Sequence, residues 1–288
     1  MKKISRRSFV KAAGTALALT ALTACGGSSS STAASTTASS AASGSAAASS
    51  EAVSADVQAI IDRGVLKVGV KNAVKGFSFQ DTLTGEYTGL EDSLAEMIAE
   101  HLGVDVEFTT VTAATRGELL DSGDIDCVLA TFTITDERKK SWDFSTPYRT
   151  DHVGILIKKN SGMSKMADLD GKIIGVSQGS TTKDLVLKML EDEKIDATPE
   201  FKEFPDYPSI KSALDAGNVD AFAMDRSTLK TYTTDDCQLL QPEIEFGAQD
   251  YGVATKKGCD LSKTVDDTVK KLQKDGWIDE EISKWGLL

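Results

Sequence analysis

One order of residues is spelled twice. TRGELLDSGDIDCVLATFTITDER, beginning at Thr115, and PSIKSALDAGNVDAFAMDRSTL, beginning at Pro208, each run from a helix through a glycine turn and an aspartate into an apolar strand with a polar edge. Such a chain is constrained to build one kind of lobe twice. In open α/β sheets ligands favour the crevice beyond the carboxyl ends of the strands, so the polar edges after Leu129 and Met224 are where a site is expected.

The segments around these units alternate in the same way. VLKVGVK reads as a strand, and GLEDSLAEMIAEHLG as a helix with Leu90, Leu94, Met97, Ile98 and Leu102 on one face. VDVEFTTV follows as a second strand. After His152 the order restarts with VGILIKK, a strand from Lys172 to Ser177, a helix from about Thr182 to Glu191, the PSIKSALDAG helix and the VDAFAMD strand. A last strand, YGVATKK, leads into a long helix and a short one, with Gly276 dividing them. The pattern is that of an α/β protein.

The first residues, MKKISRRSFVKAAGTALALTALTAC, combine a basic start, a short apolar run and small residues before Cys25, the layout of an export signal over residues 1–24. SRRSFVK resembles a twin-arginine export motif, although ordinary secretory signals also carry paired arginines. Leu22, Thr23 and Ala24 before Cys25 resemble a bacterial lipobox, which makes Cys25 the lipidated first residue. From there to residue 55 the chain is almost all Ser, Ala, Thr and Gly, too poor in apolar side chains to offset the entropy of ordering. It reads as a tether that holds a domain on the order of 30 Å from a membrane. The formal charge is −12 and becomes more negative once Lys2, Lys3, Arg6, Arg7 and Lys11 leave with the signal, which argues against nucleic acid as a partner. Of the four cysteines, those beyond Cys25 show neither metal spacing nor a CxxC pair. Export permits a Cys237–Cys259 disulfide, and Cys127 reads as a small buried hydrophobe.

Chemistry is concentrated at the polar edges. Thr135 followed by Asp136 and Glu137 signals a helix start opening toward the crevice, where unpaired N–H groups attract anions. Arg138 follows in that turn. It either pairs with Asp136 or Glu137 at the surface or holds a carboxylate with its planar fork. GVSQGSTTKDLVLKML repeats the device at Gly179, with Thr181 and Thr182 at a helix start that serves as an ordinary cap or as an anion site. Asp225 ends an apolar strand, where it either caps the next segment or accepts from a dehydrated ammonium.

The stretches TRGELLDSG, IDCVLATFTITDERKKSWDFSTPY, GVSQGSTTK and EFPDYPSIKSALDAGNVDAFAMD together resemble the family 3 extracellular solute-binding proteins, the capture subunits of polar amino acid ABC transporters, and most of all their aspartate- and glutamate-binding members. The resemblance implies a two-lobed periplasmic-binding-protein-like fold of type II, with two crossing hinge strands and a ligand cleft between the lobes. It assigns lobe one to residues 56–150 and 252–288, and lobe two to residues 151–251. It also implies a ligand set: Arg138, with Thr181 and Thr182 opposite, on the α-carboxylate; Asp225 on the ammonium; Arg116 and Lys71 on a distal carboxylate. Thr131 and Thr133 would line the strand tip, and Tyr207, Tyr251 and Phe77 would supply walls or hydroxyls. The chain departs from the family pattern at Ser93, where an aspartate is usual and Asp92 stands one position early, and at Arg149, which could add a cation near the hinge.

These expectations describe a nonenzymatic monomer that needs no cofactor or metal and delivers glutamate or aspartate to a membrane permease. Glutamine or asparagine is the alternative ligand. Cyclohexadienyl dehydratases resemble the same receptors, but neither His101 nor His152 neighbours a nucleophile or metal-ligand motif, and no GxSxG, HExxH or P-loop pattern occurs.

Overall fold

The computed structural model describes residues 54–287; the export signal, Cys25 and nearly all of the tether lie outside the described residues. The first described element is a helix, Ala55–Arg63, which the sequence reading did not anticipate. It buries Val57 and Ile60 in the core, and the Asp56 carboxylate ties it to a distant segment by accepting from the Leu261 amide at 3.1 Å.

Two large sheets carry the chain, beside a small antiparallel one of Ala73–Val74, Ser78–Gln80 and Tyr87–Thr88. The first has the strand order Asp105–Thr110, Val65–Val70, Cys127–Leu129, Ala254–Lys256, Trp142–Phe144. Its first three strands are parallel, and Ala254–Lys256 returns antiparallel. The second has the order Glu200–Phe204, Ile173–Ser177, Ala221–Asp225, Arg149–Lys158, Cys237–Leu239, with Phe246–Tyr251 also paired to Arg149–Lys158. Again three parallel strands meet an antiparallel fourth. The doubled sequence unit explains the match: each copy supplies a helix, Arg116–Ser122 or Tyr207–Ala216, and the third parallel strand of its sheet. The chain passes between the sheets twice, after Phe144 and after Tyr251.

Burial follows the strand period of two. Phe222 and Met224 face Ile210 and Leu229, whereas Ala221 and Ala223 face Ile155, Val186 and Met189 on the other side of the second sheet. On the helix Leu90–Leu102, Leu90, Leu94, Ile98 and Leu102 are buried as expected, with Met97 half-buried. The helices Leu261–Lys274 and Trp277–Lys284 are separated at Gly276, as the sequence indicates. Cys127 is fully buried, but Cys237 and Cys259 are free thiols. The permitted disulfide does not form, because Cys237 opens a strand of the second sheet and Cys259 follows a strand of the first. Among the described residues no helix is long and apolar enough to cross a membrane.

Candidate functional site

Parallel pairing places Val70 opposite Leu129, so the residues that follow them emerge at one sheet edge. Lys71 there is 6% exposed. Its ammonium donates to the Thr131 hydroxyl and to the Tyr207 hydroxyl, which the helix Tyr207–Ala216 brings from the second sheet. Burial, together with the nearby Arg116 charge, lowers the Lys71 pKa.

Thr131 itself has φ 43°, the left-handed region that a β-branched residue rarely enters. The conformation is held from both sides. The Thr131 amide donates to Glu91 Oε1 at 2.5 Å, the Tyr148 hydroxyl donates to the same oxygen, and Lys71 holds the Thr131 side chain. Glu91 is fully buried, and desolvation raises its pKa against the opposing hydrogen bonds.

Arg116 opens its helix pointing at the same strand tip. Its Nη1 donates to the Ala130 and Thr131 carbonyls at 2.6 and 3.2 Å, and its guanidinium lies 3.8 Å from the Phe132 ring centroid. Its Nε has no hydrogen-bond partner although it is buried. Desolvation lowers the Arg116 pKa.

The opposite wall comes from the second sheet. Thr181 and Thr182 stand at the start of the helix Thr182–Asp192, and Asp225 ends its strand. Gln249, from the strand Phe246–Tyr251, joins these groups. Its Oε1 accepts from the Thr133 hydroxyl at 2.7 Å and from the Thr181 hydroxyl, while its Nε2 donates to Asp225 Oδ1. Asp225 is 4% exposed, and burial, with Asp151 nearby, raises its pKa. Between the two walls lies a cavity of about 10 Å³, the space of one water.

Arg138 stands at the rim and links the walls. Its Nη1 donates to the Thr133 carbonyl at 2.8 Å and its Nη2 to the Gly179 carbonyl at 3.2 Å. Desolvation, then the Arg116 charge, lowers its pKa to about 9. Gly179 comes so close to the facing backbone that a Cβ there would sit 2.9 Å from the Ala113 oxygen, at φ 76°.

Residues 66–287 match the sequence model of the bacterial extracellular solute-binding proteins, family 3. The chain belongs to this family. It is 35% identical to the L-cystine-binding protein TcyJ of Escherichia coli K12 over 229 residues, which cover 78% of this chain and 83% of the relative. It is 31% identical to the ABC transporter glutamine-binding protein GlnH of Bacillus subtilis 168, over 82% of this chain and 86% of the relative. Among solved structures, an ancestral arginine-binding protein bound to arginine superposes with a TM-score of 0.68 at 34% identity, covering 77% of this chain and 98% of that one.

Within the family fold, Lys71, Arg116, Thr131, Thr133, Thr181, Thr182, Tyr207 and Asp225 line one cavity. Phe77 and Tyr251 are not among its lining residues and pack edge-to-face with centroids 5.8 Å apart, while the Tyr251 hydroxyl lies beside Asp225. Asp225 makes no side-chain cap to the helix Arg226–Tyr232, and its carboxylate turns to Gln249 instead. Asp136 and Glu137 pair with Lys139 and Lys140, leaving Arg138 to the rim contacts. Thr135 does accept from the Arg138 amide at 3.1 Å, but the helix it opens, Arg138–Ser141, is a single turn. So short a helix adds little dipole, and the positive field here comes from side chains. Arg149 donates to the Ser227 hydroxyl at 3.3 Å and to the Leu287 carbonyl, tying the first crossing to the chain's end.

Sequence reasoning missed Glu91 and Gln249. Glu91 had a faint signal, a carboxylate beside the apolar face of its helix. Gln249 had none, since a polar residue in an alternating strand ordinarily faces solvent.

Proposed function

We propose that this chain captures an amino acid for an ABC importer, closing two lobes around it, and that its ligand is glutamate or aspartate. The lobes comprise residues 56–150 with 252–288 and residues 151–251, with the site between them. The carrying observation is that Lys71, Arg116 and Asp225 converge on one cavity. Arg138 at the rim adds a third cation. In this reading Arg138, Thr181 and Thr182 take the α-carboxylate, Asp225 takes the ammonium, and Lys71 and Arg116 face the distal carboxylate. Charge matching favours an acidic ligand: burial, and after it the Arg116 charge, lowers the proton affinity of Lys71 and Arg138, and a second carboxylate relieves that repulsion. Glutamine offers no such charge. The overall acidity of the chain does not oppose this, because screening limits its field to about 8 Å while buried cations act locally.

We place the domain outside the cell, lipidated at Cys25 after removal of residues 1–24 and carried on the serine-rich tether. The relatives that support an importer role are binding proteins by name.

Isothermal titration tests the ligand. Arg116→Ala should cost about 2–5 kcal/mol of glutamate and aspartate affinity, much more than it costs glutamine. Equal loss for all ligands would remove the acidic assignment.

A further inference from the structure

Gln249 is a polar residue 2% exposed, on a strand whose pairing with Arg149–Lys158 shifts register between Phe246 and Gln249. Such an irregularity re-aims a side chain, and here the Gln249 amide is directed into the cleft. There its carbon carries an acceptor oxygen held by the hydroxyls of Thr133 and Thr181, and a donor nitrogen given to Asp225. Those partners stand on the two sheets, Thr133 beyond a strand of the first and Thr181 and Asp225 on the second. An amino acid head group makes the same demand: a carboxylate oxygen seeking hydroxyl donors, and a nearby ammonium seeking an acid.

We propose that the Gln249 carboxamide is a built-in surrogate for the ligand head group, competing for Thr133, Thr181 and Asp225 and thereby setting affinity. The surrogate rests on the amino acid reading of the cleft, but not on the choice of an acidic side chain. A buried amide must keep partners, so the ligand displaces Gln249 only when the side chain finds others. The fraction of molecules with Gln249 seated is the fraction unable to bind, and apparent affinity falls in proportion. Because Gln249 also bridges the sheets, it holds the walls together in the ligand's place.

The test is titration of the wild-type chain, Gln249→Ala and Gln249→Asn with glutamate and, separately, with glutamine. Asparagine is one methylene too short to span the three partners and keeps a polar group in the strand, so it carries the same expectation where alanine does not fold. Both variants should bind both amino acids about tenfold tighter, since the relief corresponds to roughly one net hydrogen bond. The gain should be equal for the two amino acids because the head group is common to them. The ligand-free variants should also melt earlier than wild type. Unchanged or weaker binding would overturn the surrogate while leaving the amino acid reading intact, as would a gain confined to one ligand. Failure of the wild-type chain to bind any amino acid would instead overturn the reading of the cleft, and the surrogate with it.

Discussion

Ser78 has one proton to donate. Its hydroxyl lies 2.5 Å from the Lys71 carbonyl, which can only accept, and 2.7 Å from Asp92 Oδ1. One proton shared between the two acceptors makes two weak bonds, whereas a neutral Asp92 carboxyl donating to the Ser78 oxygen makes two full ones. Burial pushes the Asp92 pKa up to about 8, in accord with that geometry. The linkage has a definite sign. The folded chain keeps this proton well above the ordinary carboxylate range, so the associated stability is complete below about pH 4 and is lost as pH rises toward 8. Asp92→Asn, which retains a donor without a charge, should therefore gain on wild type with increasing pH, by at most about 1.4 kcal/mol per unit. Thermal melts of the two proteins across that range check it; a constant difference would contradict a buried neutral acid. The same helix turn places Glu91 under Thr131. Glu91→Gln should weaken ligand binding by loosening a strained threonine that has two supports, while leaving the lobe folded. Titration beside circular dichroism reads both effects.

At the scale of elements, the turn after Ile173–Ser177 must pass close to Ala113 and Ala114 while Arg138 reaches its Gly179 carbonyl. Gly179→Ala would put a methyl 2.9 Å from backbone atoms on the facing element and force a left-handed conformation on alanine. The conformational cost alone is about 1 kcal/mol. The steric conflict arises where the walls meet, so ligand affinity should fall by more than the melting temperature implies. Equal losses in the two measurements would mean that the turn matters only to its own sheet. The helix Leu90–Leu102 is a different case: Ile98 is fully buried, and Ile98→Ala should cost about 2–5 kcal/mol of stability by leaving a cavity.

For the molecule as a whole, the doubled unit yields two sheets that share a parallel three-strand core with an antiparallel fourth strand, and residues at their strand ends line one cavity. A ligand that binds only the folded, closed form adds to stability by mass action, about 2.7 kcal/mol at a hundredfold excess over Kd. A thermal-shift screen of the twenty amino acids should accordingly give its largest shifts with glutamate and aspartate. A largest shift with glutamine, cystine or arginine would redirect the ligand assignment.

The architecture was legible because the patterns are local: the continuous apolar run AFAM marks a strand buried on both faces, and apolar residues at every third or fourth position in LEDSLAEMIAEHL mark the buried face of a helix. Most candidate site residues were legible too, because Lys71, Thr131 and Asp225 sit just beyond or at the ends of apolar strands, where the topology of α/β sheets puts ligands. The edge-to-face packing of Phe77 and Tyr251 was not legible, since an aromatic ring fits a core or a binding wall equally well. Nor were Glu91, Asp92 and Gln249, whose surroundings come from segments distant along the chain. Hydrogen-bond partners and desolvation are properties of that three-dimensional company, and only the tertiary structure brings it together.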